Sequence, residues 1–292
     1  MTSFEQSVPP PSRPELPEGL PAPDRRRELP HWPAWAPFAA MLIALGIAIL
    51  GVSVIALVAG AAGTEVTTAD PPPGVAIAGT FIQDFGLIFS AVLIAQLTAG
   101  RPTPGQFGLR RVGLWRATRY LGAAWGAFFV FSALWAAALH VTQNDDLPQE
   151  LGADDSTTAL VAVAVLVCVL APIAEELFFR GFCFTALRRW IGLVPGALAT
   201  GVIFGLIHAA SADAVFLVPL AFFGMALCFL YERTGSLLPC MVLHALNNAL
   251  ALAVSQGWSV GETAAFMAGS AGTVLAIALS FTRAARPRAV AG

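Results

Sequence analysis

The chain is built from long apolar runs separated by short polar connections. Each run approaches the roughly 20 residues that an α-helix needs to cross the hydrocarbon core of a bilayer. The runs lack the strict alternation of apolar and polar residues typical of membrane-barrel strands. The pattern predicts an all-α, polytopic transmembrane helical bundle of about eight spans. The predicted spans cover about 37–60, 75–98, 119–141, 157–189, 192–209, 214–231, 236–256 and 263–281.

The connections predict the orientation of these spans. Cytoplasmic loops of membrane proteins retain Lys and Arg, and here arginines occupy only alternate connections. The other connections hold acids such as Asp70, Asp155 and Glu262. The alternation agrees with eight spans and predicts that both termini are cytoplasmic. The arginines concerned are Arg13, Arg25, Arg26, Arg27, Arg101, Arg110, Arg111, Arg116, Arg119, Arg188, Arg189, Arg233, Arg283, Arg286 and Arg288.

Composition agrees with a membrane protein and divides the chain into three parts. Hydrophobic residues make up 57% of the sequence and charged residues 12%, against about 25% charged in soluble domains. Residues 1–34 hold many prolines and too few apolar groups to fold alone, which predicts a disordered cytoplasmic tail. Residues 35–283 form the predicted transmembrane domain, and 284–292 a cytoplasmic tail. The net charge of −2 gives no sign of a nucleic-acid partner.

Several ionisable or strongly polar residues lie inside the later runs. A charge at bilayer depth costs on the order of 2.5 to 3.5 kcal/mol even by insertion scales. Packing alone rarely needs so many costly groups, so we interpret them as a functional site. They are Glu175, Glu176 and Arg180 in the fourth run, His208 in the fifth, and His244 and Asn248 in the seventh.

Helix geometry predicts that these residues lie at similar depth. At 1.5 Å per residue, Glu175 and His208 stand roughly 22 and 24 Å above the turn that joins their spans. His244 and Asn248 stand roughly 14 and 20 Å above the turn at Gly235. Because His244 and Asn248 are four residues apart, they share one helix face.

The side-chain chemistry suits hydrolysis of an amide bond. A buried carboxylate, Glu175, can accept a proton from water, and the His208 imidazole opposite can share that water. Asn248 and His244 can supply uncharged N–H groups to the oxyanion of a tetrahedral intermediate.

Two further features concern the pair Glu176 and Arg180 and a bound metal ion. Arg180, four residues after Glu176, can neutralise that carboxylate and leave the other glutamate to act. Glu175, His208 and His244 suit either a bound divalent metal such as Zn²⁺ or water activated without a metal.

The motifs resemble those of the CPBP family of intramembrane proteases, which includes CAAX prenyl endopeptidases and bacteriocin-processing or self-immunity proteins. The family's EExxxR motif matches Glu175–Arg180, FxxxH matches Phe204–His208 and HxxxN matches His244–Asn248, in the family's order and on separate helices. The matched core covers about 157–256. Phe107–Arg110 also resembles a loop of family members.

The resemblance implies an endopeptidase that cuts a membrane-associated peptide or protein. Glu175 and His208 are implied to activate the attacking water, and His244 and Asn248 to stabilise the oxyanion. Members are often described as metalloproteases.

Three other interpretations stay open at this stage. The cluster would also suit a non-catalytic membrane scaffold or self-immunity protein, an ion-coupled transporter, or a haem protein with His208 and His244 as axial ligands. Asp84 and His140 are interpreted as helix-packing or boundary residues. The use of Arg over Lys with abundant Ala and Gly is compatible with a GC-rich bacterial genome, and hence with the bacterial plasma membrane.

Overall fold

The protein is helical throughout the part that its structure describes. A computed structural model describes residues 30–67, 71–141, 151–210 and 212–284. Within these ranges there are eight long helices and no strand. Of the predicted tails, 1–34 and 284–292, residues 1–29 and 285–292 lie outside the described residues, whereas Trp32 is described and buried. The helices are α1 (Ala36–Ala61), α2 (Pro73–Ala99), α3 (Leu114–Leu139), α4 (Thr157–Ile191), α5 (Leu193–Ile207), α6 (Ala214–Thr234), α7 (Leu238–Ser255) and α8 (Val260–Ala284).

The predicted all-α, polytopic bundle is confirmed. Seven of the described helices are long and apolar enough to cross a membrane. The exception is α5, whose 15 residues give a helix about 22 Å long against a hydrocarbon core of about 30 Å. Gly192, with a φ of 88°, separates α5 from α4, and the 3₁₀ turn His208–Ala210 extends α5 at its other end.

Neighbouring helices pack mainly as hairpins. Helix α1 packs along α2, α5 along α6 and α7 along α8, while α3 packs against α6. No side chain of α3 is fully buried, as expected for a helix that faces lipid. The central part of α4 contacts α2, α5 and α7, so α4 is the helix around which the site is built.

The arginine-bearing connections meet at one end of the bundle. Arg188 at the end of α4 forms a 2.8 Å ion pair with Glu232 at the end of α6. The Arg116 guanidinium at the start of α3 donates to the Arg233 carbonyl over 2.8 Å. We call this end the arginine face, and the end with the connections α1–α2, α3–α4, α5–α6 and α7–α8 the arginine-poor face. The orientation of the two faces across the membrane stays a prediction.

The α2–α3 connection is folded into the arginine face. Phe107 and Leu109 are both buried, and the carbonyl of Gly108 accepts the Leu237 N–H over 2.9 Å. Gly108 has a φ of +87°, and a Cβ there would lie 2.4 Å from the Tyr231 hydroxyl. Only glycine suits this left-handed conformation and close approach. The connection is thereby held against the ends of α6 and α7.

Candidate active site

One cavity receives the four residues expected to act on substrate. It has a volume of about 210 Å³ and lies among α2, α4, α5, α6 and α7. Glu175, His208, His244 and Asn248 all line it. The sequence-predicted convergence from separate helices is therefore observed, while the chemical roles of these residues stay predictions.

The helix that carries Glu175 is not regular on either side of it. Wider π-helical turns occupy Leu166–Leu170 and Leu177–Phe184, and such turns are frequent at functional sites. Pro172 follows the first of them and has no N–H to donate to the preceding turn. The carbonyls on that turn find side-chain donors instead: Val167 accepts the Asn248 amide over 2.9 Å, and Cys168 accepts the Ser270 hydroxyl over 2.8 Å. The irregular turn thus anchors Asn248.

Glu176 is the centre of a buried ionic cluster. Its Oε1 lies 2.8 Å from Arg180 Nη1 and 2.9 Å from His244 Nδ1. Both Glu176 and Arg180 have no exposed side-chain surface. A second Arg180 nitrogen donates to the Gly224 carbonyl over 3.0 Å. The arginine neutralises Glu176 as expected, and the pair also fixes the His244 ring.

The bond to Glu176 determines what His244 presents to the cavity. An ionised carboxylate only accepts hydrogen bonds, so Nδ1 of His244 carries the proton. In the neutral ring Nε2 then has a lone pair and no hydrogen. The expected uncharged N–H donor is therefore available from Asn248, whereas His244 donates into the cavity only when it is doubly protonated.

Glu175 faces the cavity with one oxygen lacking a hydrogen bond. It is buried, and no described residue bonds its Oε2, which lies 4.0 Å from His244 Nε2. A buried acceptor without a partner is costly, at about 1 to 3 kcal/mol. The Glu175 carboxylate, which lines the cavity, is a natural binding point for a water molecule.

His208 ends α5 and lines the cavity. Its Nδ1 donates to the Phe204 carbonyl over 2.7 Å, since a carbonyl can only accept. In the neutral ring Nε2 therefore carries the lone pair. The Phe204 ring lies 4.9 Å from the His208 ring and 5.8 Å from the His244 ring, and the Arg180 guanidinium lies 4.5 Å from its centre. Phe204 thus packs against three basic groups.

A metal ion at this site stays a prediction. A zinc site needs at least three protein donors converging at about 2 Å from the ion. Among the described residues, no three His, Cys, Asp or Glu side chains form such a group. His244 donates Nδ1–H to Glu176, which leaves Nε2 as its ligating nitrogen, the arrangement usual for histidines at metal sites. The expected set of Glu175, His208 and His244 is therefore left for a metal analysis to decide.

Helix α2 and one residue of α7 contribute groups that the motifs do not include. Thr80, Gln83 and Asn247 line the cavity. Asp84, interpreted from the sequence as a packing residue, is buried with no described partner for either carboxylate oxygen. The spacing of residues 80, 83 and 84 on one face of an apolar helix is the signal that would have identified this wall.

Comparison with known families identifies the segment that carries the site. Residues 157–250 match the family model described as type II CAAX prenyl endopeptidase Rce1-like. This segment is similar to the Rce1-like family, and we refer to residues 157–250 as the Rce1-like domain. The match confirms the resemblance to CPBP and CAAX proteases, and the Rce1-like domain runs from the start of α4 into α7. No curated protein and no solved structure shows significant similarity to the chain.

The match suggests a protease of the membrane. The Rce1-like domain contains the five motif residues that line the cavity, Glu175, Phe204, His208, His244 and Asn248, whereas Thr80 and Gln83 lie outside it. The apolar helices and this family together indicate an integral membrane hydrolase that acts on peptides.

Proposed function

We propose that the protein is an intramembrane endopeptidase that hydrolyses a peptide bond in a membrane-associated protein or peptide. One observation carries the proposal: Glu175, His208, His244 and Asn248 converge on one cavity in which a buried Glu175 oxygen has no described partner. A scaffold or self-immunity protein without activity has no need of such a group. The Rce1-like domain supplies the protease precedent.

Glu175 and His208 activate the attacking water. Water bound at the Glu175 carboxylate donates one hydrogen to that carboxylate and a second to the lone pair of His208 Nε2. As the water oxygen attacks the substrate carbonyl carbon, its proton moves to Glu175. Glu175 then gives this proton to the leaving amine, so it ends the cycle ionised again.

Asn248 and His244 stabilise the oxyanion. An amide has two N–H groups, and the bond to Val167 uses one of them, so the second serves the oxyanion. His244 acts as an imidazolium, held by Glu176 through Nδ1 and donating through Nε2. With both glutamates ionised and both Arg180 and His244 positive, the buried cluster has no net charge. Removing one oxyanion donor costs roughly 10²- to 10³-fold in kcat.

The mechanism needs no metal ion, which a separate measurement can check. Metal analysis of purified active protein should find less than one equivalent of zinc, and chelator treatment should leave the cleavage rate unchanged. Stoichiometric metal with loss of activity on chelation would contradict this mechanism and favour a metalloprotease.

The test of the proposed activity compares site variants with matched surface variants. Purified protein is incubated with a peptide mixture that includes one sequence in two forms, with and without a prenylated cysteine near its C-terminus. Mass spectrometry detects new peptide ends. We expect Glu175→Gln and His208→Ala to lose cleavage by roughly 10²- to 10⁴-fold, with unchanged thermal unfolding in detergent. Absence of cleavage by the unmodified protein would contradict the proposal.

The controls are variants of the same residue types away from the cavity. Glu65 and His31 are exposed and lie outside the helices, so Glu65→Gln and His31→Ala should cleave at the full rate. A preference for the prenylated peptide would indicate a substrate of the CAAX class that the family description names. Equal cleavage of both forms would show that the prenyl group is not needed.

A further inference from the structure

The catalytic cavity occupies only one half of the bundle. Glu175 and His244 lie near the middle of their helices and form its floor. Lining residues from four elements lie on the arginine-poor side of that floor: Thr80 and Gln83 near the start of α2, Val163 and Val167 near the start of α4, Ala212 before α6, and Leu252 near the end of α7. The cavity therefore rises toward the arginine-poor face.

Tightly packed aromatic residues close the opposite side. Phe178, Phe179 and Phe182, which follow Glu176 along α4, have no exposed surface. The ring of Trp32 lies 4.8 Å from that of Phe182 and 5.2 Å from that of Phe107, centre to centre. The segment around Trp32 and the α2–α3 connection thus cover this part of α4 on the arginine face, and these aromatic side chains lie between Glu175 and that face.

Charge distinguishes the two faces as clearly as packing does. The described connections of the arginine-poor face contain no Lys or Arg, and they carry Glu65, Asp154, Asp155 and Asp213. Because short cytoplasmic loops are the ones that retain arginine, this difference predicts that the arginine-poor face is extracytoplasmic.

We infer that the catalytic cavity opens to the extracytoplasmic side of the membrane and that its substrate is a flexible peptide segment presented there. The inference rests on the proposed function and names its substrate class. A chain terminus held in the cytosol would meet the packed face instead. The usual cytosolic presentation of a prenylated C-terminus therefore does not suit this cavity.

The depth of the cavity limits the form of the substrate. His244 lies eleven residues before the end of α7, which is about 16 Å along the helix axis. An extended chain advances about 3.3 Å per residue, so about five unfolded residues are needed to reach the floor. A loop or tail next to a membrane anchor meets this requirement, whereas a folded domain does not.

Cysteine labelling tests the direction of opening without using activity. All four native cysteines are buried, so labelling of the unmodified protein gives the background signal. Ala212→Cys places a thiol at the cavity, and Gly113→Cys places one on the arginine face, where a side chain meets no atom within 4 Å. Spheroplasts are treated with a membrane-impermeant maleimide before and after permeabilisation.

We expect Ala212→Cys to be labelled in intact spheroplasts and Gly113→Cys only after permeabilisation. The inference is overturned if Ala212→Cys needs permeabilisation, or if Gly113→Cys is labelled in intact spheroplasts.

A second arm asks whether the labelled opening is the substrate entrance. The bulky adduct on Ala212→Cys should block cleavage of the peptide mixture in detergent, relative to the same variant unlabelled. The adduct on Gly113→Cys should leave cleavage unchanged. If the Ala212→Cys adduct cleaves at an unchanged rate, the labelled opening is not the substrate entrance. If labelling follows expectation but unmodified protein cuts no peptide, the failure belongs to the proposed function and the direction of opening stands.

Discussion

Glu175 and Glu176 are consecutive residues with different surroundings. Consecutive residues on a helix point about 100° apart, so only one of the two faces the cavity. Oε1 of Glu176 is held by Arg180 and His244, whereas Glu175 lines the cavity. Oε2 of each carboxylate is buried without a described partner. The Glu176 carboxylate is thus committed to two basic side chains, and the Glu175 carboxylate is left for chemistry.

This division predicts different losses for the two Glu→Gln variants. Glu176→Gln leaves Arg180 as a buried charge without its counter-ion, and breaking a buried pair in this way costs about 3 to 5 kcal/mol. Glu176→Gln should therefore lower the thermal unfolding midpoint in detergent, whereas Glu175→Gln should leave it unchanged and remove cleavage. Equal midpoints for the two variants would contradict the assignment of Glu176 as the structural carboxylate.

At the scale of elements, α4 is the helix whose irregularity matters most. Its first π-helical turn is satisfied by side chains from α7 and α8, since Pro172 cannot supply a backbone N–H. Through this turn, the position of Glu175 along α4 is linked to the position of Asn248 on α7.

Restoring the backbone donor should separate activity from stability. In Pro172→Ala the new N–H can bond to a carbonyl of the first π-helical turn and compete with Asn248 or Ser270. We expect cleavage to fall, with kcat affected more than KM, while the unfolding midpoint stays level or rises because a proline inside a helix is costly. Pro219→Ala in α6 is the matched control, since Pro219 also lies inside a helix but does not line the cavity. An unchanged kcat for Pro172→Ala would show that the irregular turn is not needed.

The same elements show what the sequence could and could not reveal. Long apolar runs are a local property, so all eight helices were predictable, and the costly polar residues identified the site. The π-helical turns depend on hydrogen-bond donors from distant helices, which the local sequence does not reveal. The length of α5 depends on its end at His208, which lies inside a continuous apolar run. Thr80 and Gln83 were missed because weakly polar residues in an apolar run are common and form no motif. The sequence also could not show which nitrogen of His244 carries the hydrogen. That choice is set by Glu176, which only the packed structure places beside the ring.

At the scale of the whole molecule, the Rce1-like domain is not a self-contained unit. Residues 157–250 lack Thr80 and Gln83, which form one cavity wall, and Ser270, which bonds the irregular turn of α4. They also lack Trp32 and Phe107, which cover Phe182. The site therefore depends on the helices on both sides of the domain.

Dividing the chain between α3 and α4 tests this dependence. A fragment of residues 142–292 keeps the whole Rce1-like domain and α8 but loses the α2 wall and the cover of the arginine face. We expect this fragment alone to be inactive and to unfold at a lower temperature, because Phe182 and its neighbours lose apolar contacts with Trp32 and Phe107, and such contacts are worth about 25 cal/mol per Å². Co-expression with residues 1–141 should restore cleavage, since helices α1 and α2 pack against α4 without needing a covalent link. Cleavage by the fragment alone at the full rate would instead show that the Rce1-like domain builds its cavity unaided.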